Sequence, residues 1–454
     1  MSLPGGLLIG WVGDDFTGSA ATMEAMAFSG LPAVLFTDVP TPDQRARFAD
    51  VRGLGIATTA RAHGPGWMEA HLPQAFHYLT TQTAPLVHYK TCSTLDSAPH
   101  VGSIGRAIDV ALSVVPSAYV PFLVAAPVMR RYQAFGHLFA SAPGGVFRLD
   151  RHPVMARHPV TPMEEADVAR HLSLQTLLPC TNLDVEALDS APEATLQERA
   201  QNGGIVTLDA MTEAHMRKNG RLIWEGRATA PLVAGSQGIE YALIAHWQAQ
   251  GLIPTQTLSQ GAGAVDRIVA VSGSVSPITA RQIAWAEGNG FAVIPLDVAA
   301  MLGGDVTAEA ATTKTARAAL DAAQDALIVT ARGPDDPAVA QVRAAIKASG
   351  MTGEQANTQI GAALGRILKR VLTETGLTRA IVSGGDTSGA VTRQLGLYAF
   401  TALAPTTPGA GLLTGYSNDA RFDGLQIALK GGQMGSDDYF GWIKRGGGAA
   451  GGKQ

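Results

Sequence analysis

Short apolar runs recur along the chain, and each closes on glycine, a hydroxyl residue or a charge. Between most of them lie stretches with apolar positions at helical spacing. The first run, from Leu7, ends at Gly13. Asp14 and Asp15 follow, then Thr17-Gly18 and a segment with Ala20, Met23 and Ala27 on one face. This order predicts strand, acidic turn and helix. Further strands are predicted at residues 33–36, 53–61, 85–90, 121–127, 203–210 and 230–235. Ile104, Ile108, Ala111, Leu112 and Val115 form one helical face among them. Strands separated by helix-length segments predict a parallel sheet covered on both faces. Ligands bind such sheets outside the carboxyl ends of the strands, where Asp14 and Asp15 would sit.

The rhythm breaks twice. Residues 147–163, FRLDRHPVMARHPVTPM, are irregular and rich in Pro, His and Arg, and read as a long ordered loop or a lid. Residues 248–264, QAQGLIPTQTLSQGAGA, read as a linker. The α/β rhythm then restarts, with strands predicted at residues 267–272, 291–297, 325–333, 379–383 and 424–430. Ile360, Leu364, Ile367, Leu368, Val371 and Leu372 mark a helix. The expectation is therefore two α/β domains with mostly parallel sheets, residues 1–248 and 265–445, with an active site in the cleft between them. The last stretch, GGGAAGGKQ, is expected to be disordered.

Composition narrows the class. A chain of 454 residues suits two or three domains. A net charge of −4 gives no sign of a nucleic-acid or membrane-surface partner. Two cysteines, Cys92 and Cys180, exclude a disulfide framework and a multi-cysteine zinc site, and suit a reducing cytoplasm. No run has the apolar length needed to span a bilayer. The opening run is too short for a signal peptide and lacks a basic flank.

Three glycine-rich turns follow strands in the second half: Ser272 to Ser276, Ser383 to Thr387, and Lys430 to Gly435. Such turns aim backbone N–H groups at phosphate oxygens, and a following helix adds its dipole. None matches a Walker A loop or a dinucleotide fingerprint. One such turn alone is better read as tight chain reversal; three in one domain favour phosphate binding. In the first half the polar strand ends are Asp14, Asp15, Arg61 and Lys90-Thr91-Cys92-Ser93-Thr94, with the Arg/His loop beyond. Together they offer carboxylates for hydroxyls and cations for an anion, a pocket for a polyhydroxy acid. Helix N-capping competes as the role of Asp15. Cys92 reads as a small buried thiol rather than a nucleophile. His152 and His158 are weak metal candidates, better suited to hydrogen bonding.

The segments GDDFTGSA, KTCSTLDS with the later GSIG, MARHPVTPM, VAGSQGIEYAL, SGSVSPITARQI, SGGDTSGAV and PGAG resemble the four-carbon acid sugar kinase family, over about residues 7–435. The resemblance implies an ATP- and Mg²⁺-dependent kinase that phosphorylates the terminal hydroxyl of a sugar acid. The N-terminal domain would bind the acid and the C-terminal domain ATP. It places the acid at Asp14, Asp15, Arg61, Lys90, Thr91, Cys92 and Ser93. It places ATP at Ser274, Ser276, Gly384, Gly385, Asp386, Thr387 and Gly432. Asp15 is the first choice of catalytic base and Asp386 its rival. Many members carry Lys-x-Asp-Ser-Thr where this chain has Lys90-Thr91-Cys92-Ser93-Thr94. The Cys form with HPVTPM resembles the 3-oxo-tetronate kinase branch, whereas FRLDRHP departs from it. The resemblance thus implies a 3-oxo-tetronate-like acid, giving the 4-phosphate, as the first substrate, with threonate, erythronate and a branched acid such as 3-oxo-isoapionate as alternatives. An aspartyl phosphatase and a non-catalytic sugar-acid sensor stay open as other classes. A homo-oligomer is also left open.

Overall fold

A computed structural model describes residues 2–255 and 261–448. The central residues of the expected linker and the last residues of the glycine-rich tail, 449–454, lie outside them. The chain divides into two compact units, residues 1–256 and 257–454.

The first unit contains strands β1 (Ile9–Gly13), β2 (Ala33–Phe36), β3 (Gly53–Ala57), β4 (Leu86–Lys90), β5 (Val120–Leu123), β6 (Arg131–Ala134), β7 (His137–Ala142), β8 (Gly145–Arg148), β9 (Cys180–Leu183), β10 (Ile205–Leu208) and β11 (Leu232–Gly235). Its main sheet runs in the order β2-β3-β1-β4-β11-β5-β10-β9, parallel throughout. Most of its strands read as unbroken apolar runs because helices cover both faces, so alternation would expose nothing to water. Trp11 is fully buried on β1. It fits because the facing position on β3 is Gly55, where a Cβ would overlap the indole ring.

From β1 the chain goes to β2, returns by β3 beside β1, then crosses to β4 on the other side of β1. That reversal of direction is where α/β sheets open a crevice for ligands. Register makes the crevice exact to the residue: Gly13 lies opposite both Ala57 and Lys90, and Lys90 opposite Gly235. The residues that follow, Asp14, Thr58, Thr91 and Ser236, therefore share one edge.

Strands β6, β7 and β8 form a separate three-stranded antiparallel sheet. The parallel rhythm predicted no such excursion. Phe135 and Gly136 both adopt left-handed backbone, φ 48° and 79°, and close a two-residue hairpin between Ala134 and His137. The stretch read as a loop from Phe147 thus begins as the end of β8. Beyond Arg148 the reading stands closer to the structure: two short 3₁₀ turns, Leu149–Arg151 and Met155–Arg157, joined by coil.

The second unit contains β12 (Val269–Ser272), β13 (Phe291–Pro295), β14 (Asp325–Val329), β15 (Arg379–Ser383), β16 (Leu397–Ala404), β17 (Leu412–Ser417) and β18 (Leu425–Lys430), in the order β13-β14-β12-β15-β18-β17-β16. The first five in this order are parallel, and β17 is antiparallel to both its neighbours. Residues 405–411 and 418–424 are too few for crossovers, so β16 to β18 must run up and down. The direction reverses between β12 and β15, and there Ser272 lies opposite Ser383, itself opposite Lys430. The long helix Gly353–Thr375 buries Leu364, Ile367, Leu368, Val371 and Leu372 of its predicted stripe.

Candidate functional site

In the first unit the crevice is built from charges. Arg61 donates from Nε and Nη2 to the two carboxylate oxygens of Asp14, at 3.1 and 2.8 Å, and from Nη1 to Asp15 at 2.9 Å. The Asp14 carboxylate also accepts the Cys92 N–H at 3.3 Å. Asp15 accepts from Gly18 N–H at 2.8 Å and from Thr17 Oγ1 at 2.6 Å. It therefore does cap the helix Phe16–Ala27. Lys90 is buried at the end of β4 and turns its Nζ back to Thr91 O at 2.7 Å. It lies so close to the helix start that a Cβ on Gly18 would sit 2.6 Å from Nζ.

Burial pushes the Asp14 carboxyl up, and Arg61 offsets this only in part. Burial acts on Asp15 in the same sense. There Arg61, Lys90, Thr17 and the Gly18 N–H together outweigh it and hold the carboxyl below its usual range. The Asp14 side chain is 3% exposed and that of Asp15 22%, so Asp15 is the carboxylate a ligand can reach.

The structure brings Asp14, Asp15, Arg61, Lys90 and Cys92 to one place. Thr91 is adjacent but buried, its hydroxyl without a partner among the described residues. Cys92 is half-buried, with Sγ 3.2 Å from Thr94 Oγ1. Ser93 is half-buried beside it. The expectation that Arg61 would hold a ligand carboxylate meets a competing fact: its fork is already filled by Asp14. His152 is fixed by backbone, accepting from Val154 and Met155 N–H at 3.2 Å each. His158 bonds Thr161 Oγ1 at 2.8 Å. Among the described residues no group of three His, Cys, Asp or Glu side chains is arranged to hold a metal.

The second unit's crevice is made of glycine and hydroxyl groups. Gly273 N–H bonds Ser383 O at 3.0 Å, and Gly384 N–H bonds Lys430 O at 2.9 Å, which ties the three predicted turns together. Ser276 Oγ donates to Gly432 O and caps the helix Pro277–Glu287. Thr279 Oγ1, which sequence reasoning passed over, lies 3.0 Å from both Ser274 Oγ and Gly432 O. Gly384 has φ 125°, reserved for glycine, and starts the helix Gly385–Leu395 without a side-chain cap. The N–H groups of Gly385, Asp386 and Thr387 thus face outward from a helix start, the arrangement that binds anions. Asp386 is exposed, and a Cβ on Gly385 would meet nothing within 4 Å.

Behind this cradle lies Lys430, fully buried, with Nζ 3.4 Å from Thr279 Oγ1, 3.2 Å from Gly431 O and 5.8 Å above the Tyr439 ring. No carboxylate pairs with it among the described residues, and burial pushes its pKa down to about 8. Lys430 stood in one of the three predicted turns without a role. Its position at the end of an apolar strand, like that of Lys90, was the signal available.

Residues 9–243 match the model of a sugar-binding N-terminal domain, and residues 269–440 that of a nucleotide-binding C-terminal domain. The chain belongs to the four-carbon acid sugar kinase family. It is 44% identical to the 3-oxo-isoapionate kinase of Paraburkholderia graminis over 98% of this chain and 95% of that one. It is 29% identical to the 3-oxo-tetronate kinase of Salmonella typhimurium over 96% of this chain and 98% of that one. A solved structure of Haemophilus influenzae protein HI1011 shares the fold, with TM-score 0.71 at 22% identity over 96% of this chain and 99% of that one. In the family's terms, the charged crevice lies in the sugar-binding half and the glycine cradle in the nucleotide-binding half. Among the described residues no helix is long and apolar enough to cross a membrane.

Proposed function

We propose that the protein is an ATP-dependent kinase that phosphorylates the terminal hydroxyl of a 3-oxo sugar acid, with a branched acid of the 3-oxo-isoapionate kind first and 3-oxo-tetronate second. The observation that carries the reading is the uncapped helix start at Gly385 beside glycine turns, with buried Lys430 behind it paired with no carboxylate among the described residues. The order of substrates follows the identities of 44% and 29% to kinases of those two acids. Residues 1–248 would bind the acid and residues 265–445 the nucleotide.

Phosphoryl transfer needs positioning and neutralised charge more than covalent chemistry. The N–H groups of Gly385 to Thr387 would hold phosphate oxygens, with Ser274, Ser276 and Gly432 shaping the cradle. Asp15 is the reachable carboxylate of the charged crevice and would accept a hydrogen bond from the acid's terminal hydroxyl, orienting its oxygen and taking its proton. Asp14 and Lys90 are too buried to touch the acid directly and act through Asp15 and Arg61. Mg²⁺, when bound with ATP, would neutralise phosphate oxygens; ions of this kind bind through substrate phosphates and one or two carboxylates, and exposed Asp386 is the carboxylate beside the cradle.

An ADP-release screen over four-carbon and branched five-carbon sugar acids tests the reading. The expected result is turnover with a 3-oxo acid that stops when ATP is omitted. Phosphate release from a sugar-acid phosphate without ATP would favour the phosphatase, and binding without turnover the sensor.

A further inference from the structure

A sugar acid brings a carboxylate as well as a hydroxyl, and among the described residues Arg61 and Lys90 of the charged crevice are both already engaged. Arg61 spends its side-on edge, Nε and Nη2, on Asp14 and its remaining nitrogen on Asp15. Lys90 is buried against Thr91 O.

A second guanidinium stands differently. Arg131 opens β6, the first strand of the unpredicted antiparallel sheet. Its backbone pairs with Ala126, just past the carboxyl end of β5. It therefore sits on the same edge of the main sheet as Asp14 and Lys90. β5 is two strands from β4, about 10 Å at ordinary strand spacing, a gap that an arginine side chain and a small acid can bridge together.

The Nη1 group of Arg131 is held by Ser141 Oγ at 3.1 Å and by the carbonyls of Met129 and Arg130 at 3.3 and 3.4 Å. Ser141 is fixed in turn, its carbonyl 3.3 Å from His152 Nε2. The other edge, Nε with Nη2, has no partner among the described residues, and Nε is buried. This is the edge by which Arg61 grips Asp14. No carboxylate pairs with Arg131 among the described residues, and burial pushes its pKa down. The Cys92 thiol lies within electrostatic reach of both Arg131 and Arg61, and the Cys92 N–H bonds Asp14. Cys92 thus links the crevice to Arg131.

We infer that Arg131 is the carboxylate subsite, taking the acid's –COO⁻ on its Nε/Nη2 edge while Arg61 serves to hold Asp14 and Asp15. The inference rests on the sugar-acid reading above. It also gives a purpose to an orphaned buried donor, which a protein otherwise keeps only at a cost.

The test is calorimetric titration of the full-length protein, without ATP, with the acid that scores best in the ADP-release screen, or with 3-oxo-isoapionate if none turns over. Its carboxamide is titrated in parallel. Arg131→Met should weaken acid binding by about 10–100-fold, the size of a lost charge-assisted bidentate contact. It should leave carboxamide and ATP binding nearly unchanged. Arg131→Lys keeps the charge but not the planar fork, and should weaken binding by less. If Arg131→Met does not fold by circular dichroism, Arg131→Lys alone carries the comparison. Equal affinity of wild type and the folded variant for the acid overturns the inference. So does wild type that binds acid and carboxamide alike. Absence of ADP release with intact, Arg131-dependent acid binding would instead leave the subsite standing and remove the kinase.

Discussion

Both units end a buried parallel strand on a lysine, and each lysine folds back to the carbonyl of the next residue: Lys90 to Thr91 O, Lys430 to Gly431 O. Their surroundings differ. Lys90 has Asp14, Asp15 and Arg61 beside it, two negative and two positive charges that nearly cancel within the protein. Lys430 has hydroxyls, backbone and an aromatic ring, and no carboxylate partner among the described residues. A compensated cluster is stable as it stands and can orient a neutral hydroxyl. An isolated buried cation is costly until an anion arrives. On the proposed reading, the same device, a lysine at a strand end, would serve opposite tasks according to whether its counter-charge is built in or brought by the ligand.

The largest effect should come from the compensated side. Asp15→Asn keeps the helix cap, since Asn caps as well as Asp, but cannot take a proton. The expected loss in kcat is about 10²–10⁴-fold with both ligands still bound. Unchanged kcat would reduce Asp15 to a cap, and a loss in Asp386→Asn instead would move the base to the nucleotide half. Next comes Gly385→Val. Its Cβ enters open space at a backbone angle any residue adopts, so the fold should persist. Denying phosphate two or more N–H contacts should weaken ATP by about 100-fold or more in calorimetry. Intact affinity would take this turn out of the site.

Lys430→Met should weaken ATP by about 10–100-fold, through loss of the field of a buried charge behind the cradle rather than of a direct contact. The same change should raise the melting temperature of the ligand-free protein, because it removes an unpaired buried charge. The pH dependence follows from a pKa pushed down to about 8 against an ordinary value of 10.5. Between these values the unfolded chain holds the proton and the folded one does not. Stability of the ligand-free protein should therefore rise with pH across that window, with the full cost present below about 8. The KM for ATP should rise above pH 8 in wild type and stay flat in Lys430→Met. The smallest effect is expected of Arg61→Lys. With the bidentate grip on Asp14 lost, stability should fall by about 1.5–3 kcal/mol in denaturant titration, while the KM for the acid barely moves. A large rise in that KM with unchanged stability would return the carboxylate to Arg61.

Most of the parallel framework was legible because buried strands and helix stripes write periods into the sequence. β1, β3, β4, β12, β15 and β18 end at or within a few residues of the polar turns that marked them. The hairpins were not legible. β6 to β8 are short and mix Arg131, Gln133 and His137 with apolar residues, and the turn at Phe135-Gly136 puts a bulky residue in left-handed backbone, contrary to composition. No helix separates β16, β17 and β18 to announce them as distinct strands. In the site, glycine turns and acidic residues were visible as motifs. The partners of each side chain were not, since Arg61 could equally have faced a ligand or Asp14. Arg131 was hidden because it lies on an element the periodicity did not reveal.

The bonds that define each crevice join residues far apart along the chain: Asp14 with Arg61, 47 positions on, and with Cys92, 78 positions on; Ser276 with Gly432, 156 positions on. Closing loops of that length carries a large entropic cost before any contact rewards it, so such pairings form late. Helices such as Gly353–Thr375 can gain their backbone bonds early. In refolding from denaturant, the far-ultraviolet signal should recover first and ATP binding, followed by a fluorescent analogue, later. A newly made chain would then have no closed glycine cradle until Gly432 has been added and paired with Ser276, by which point most of the second unit has been made.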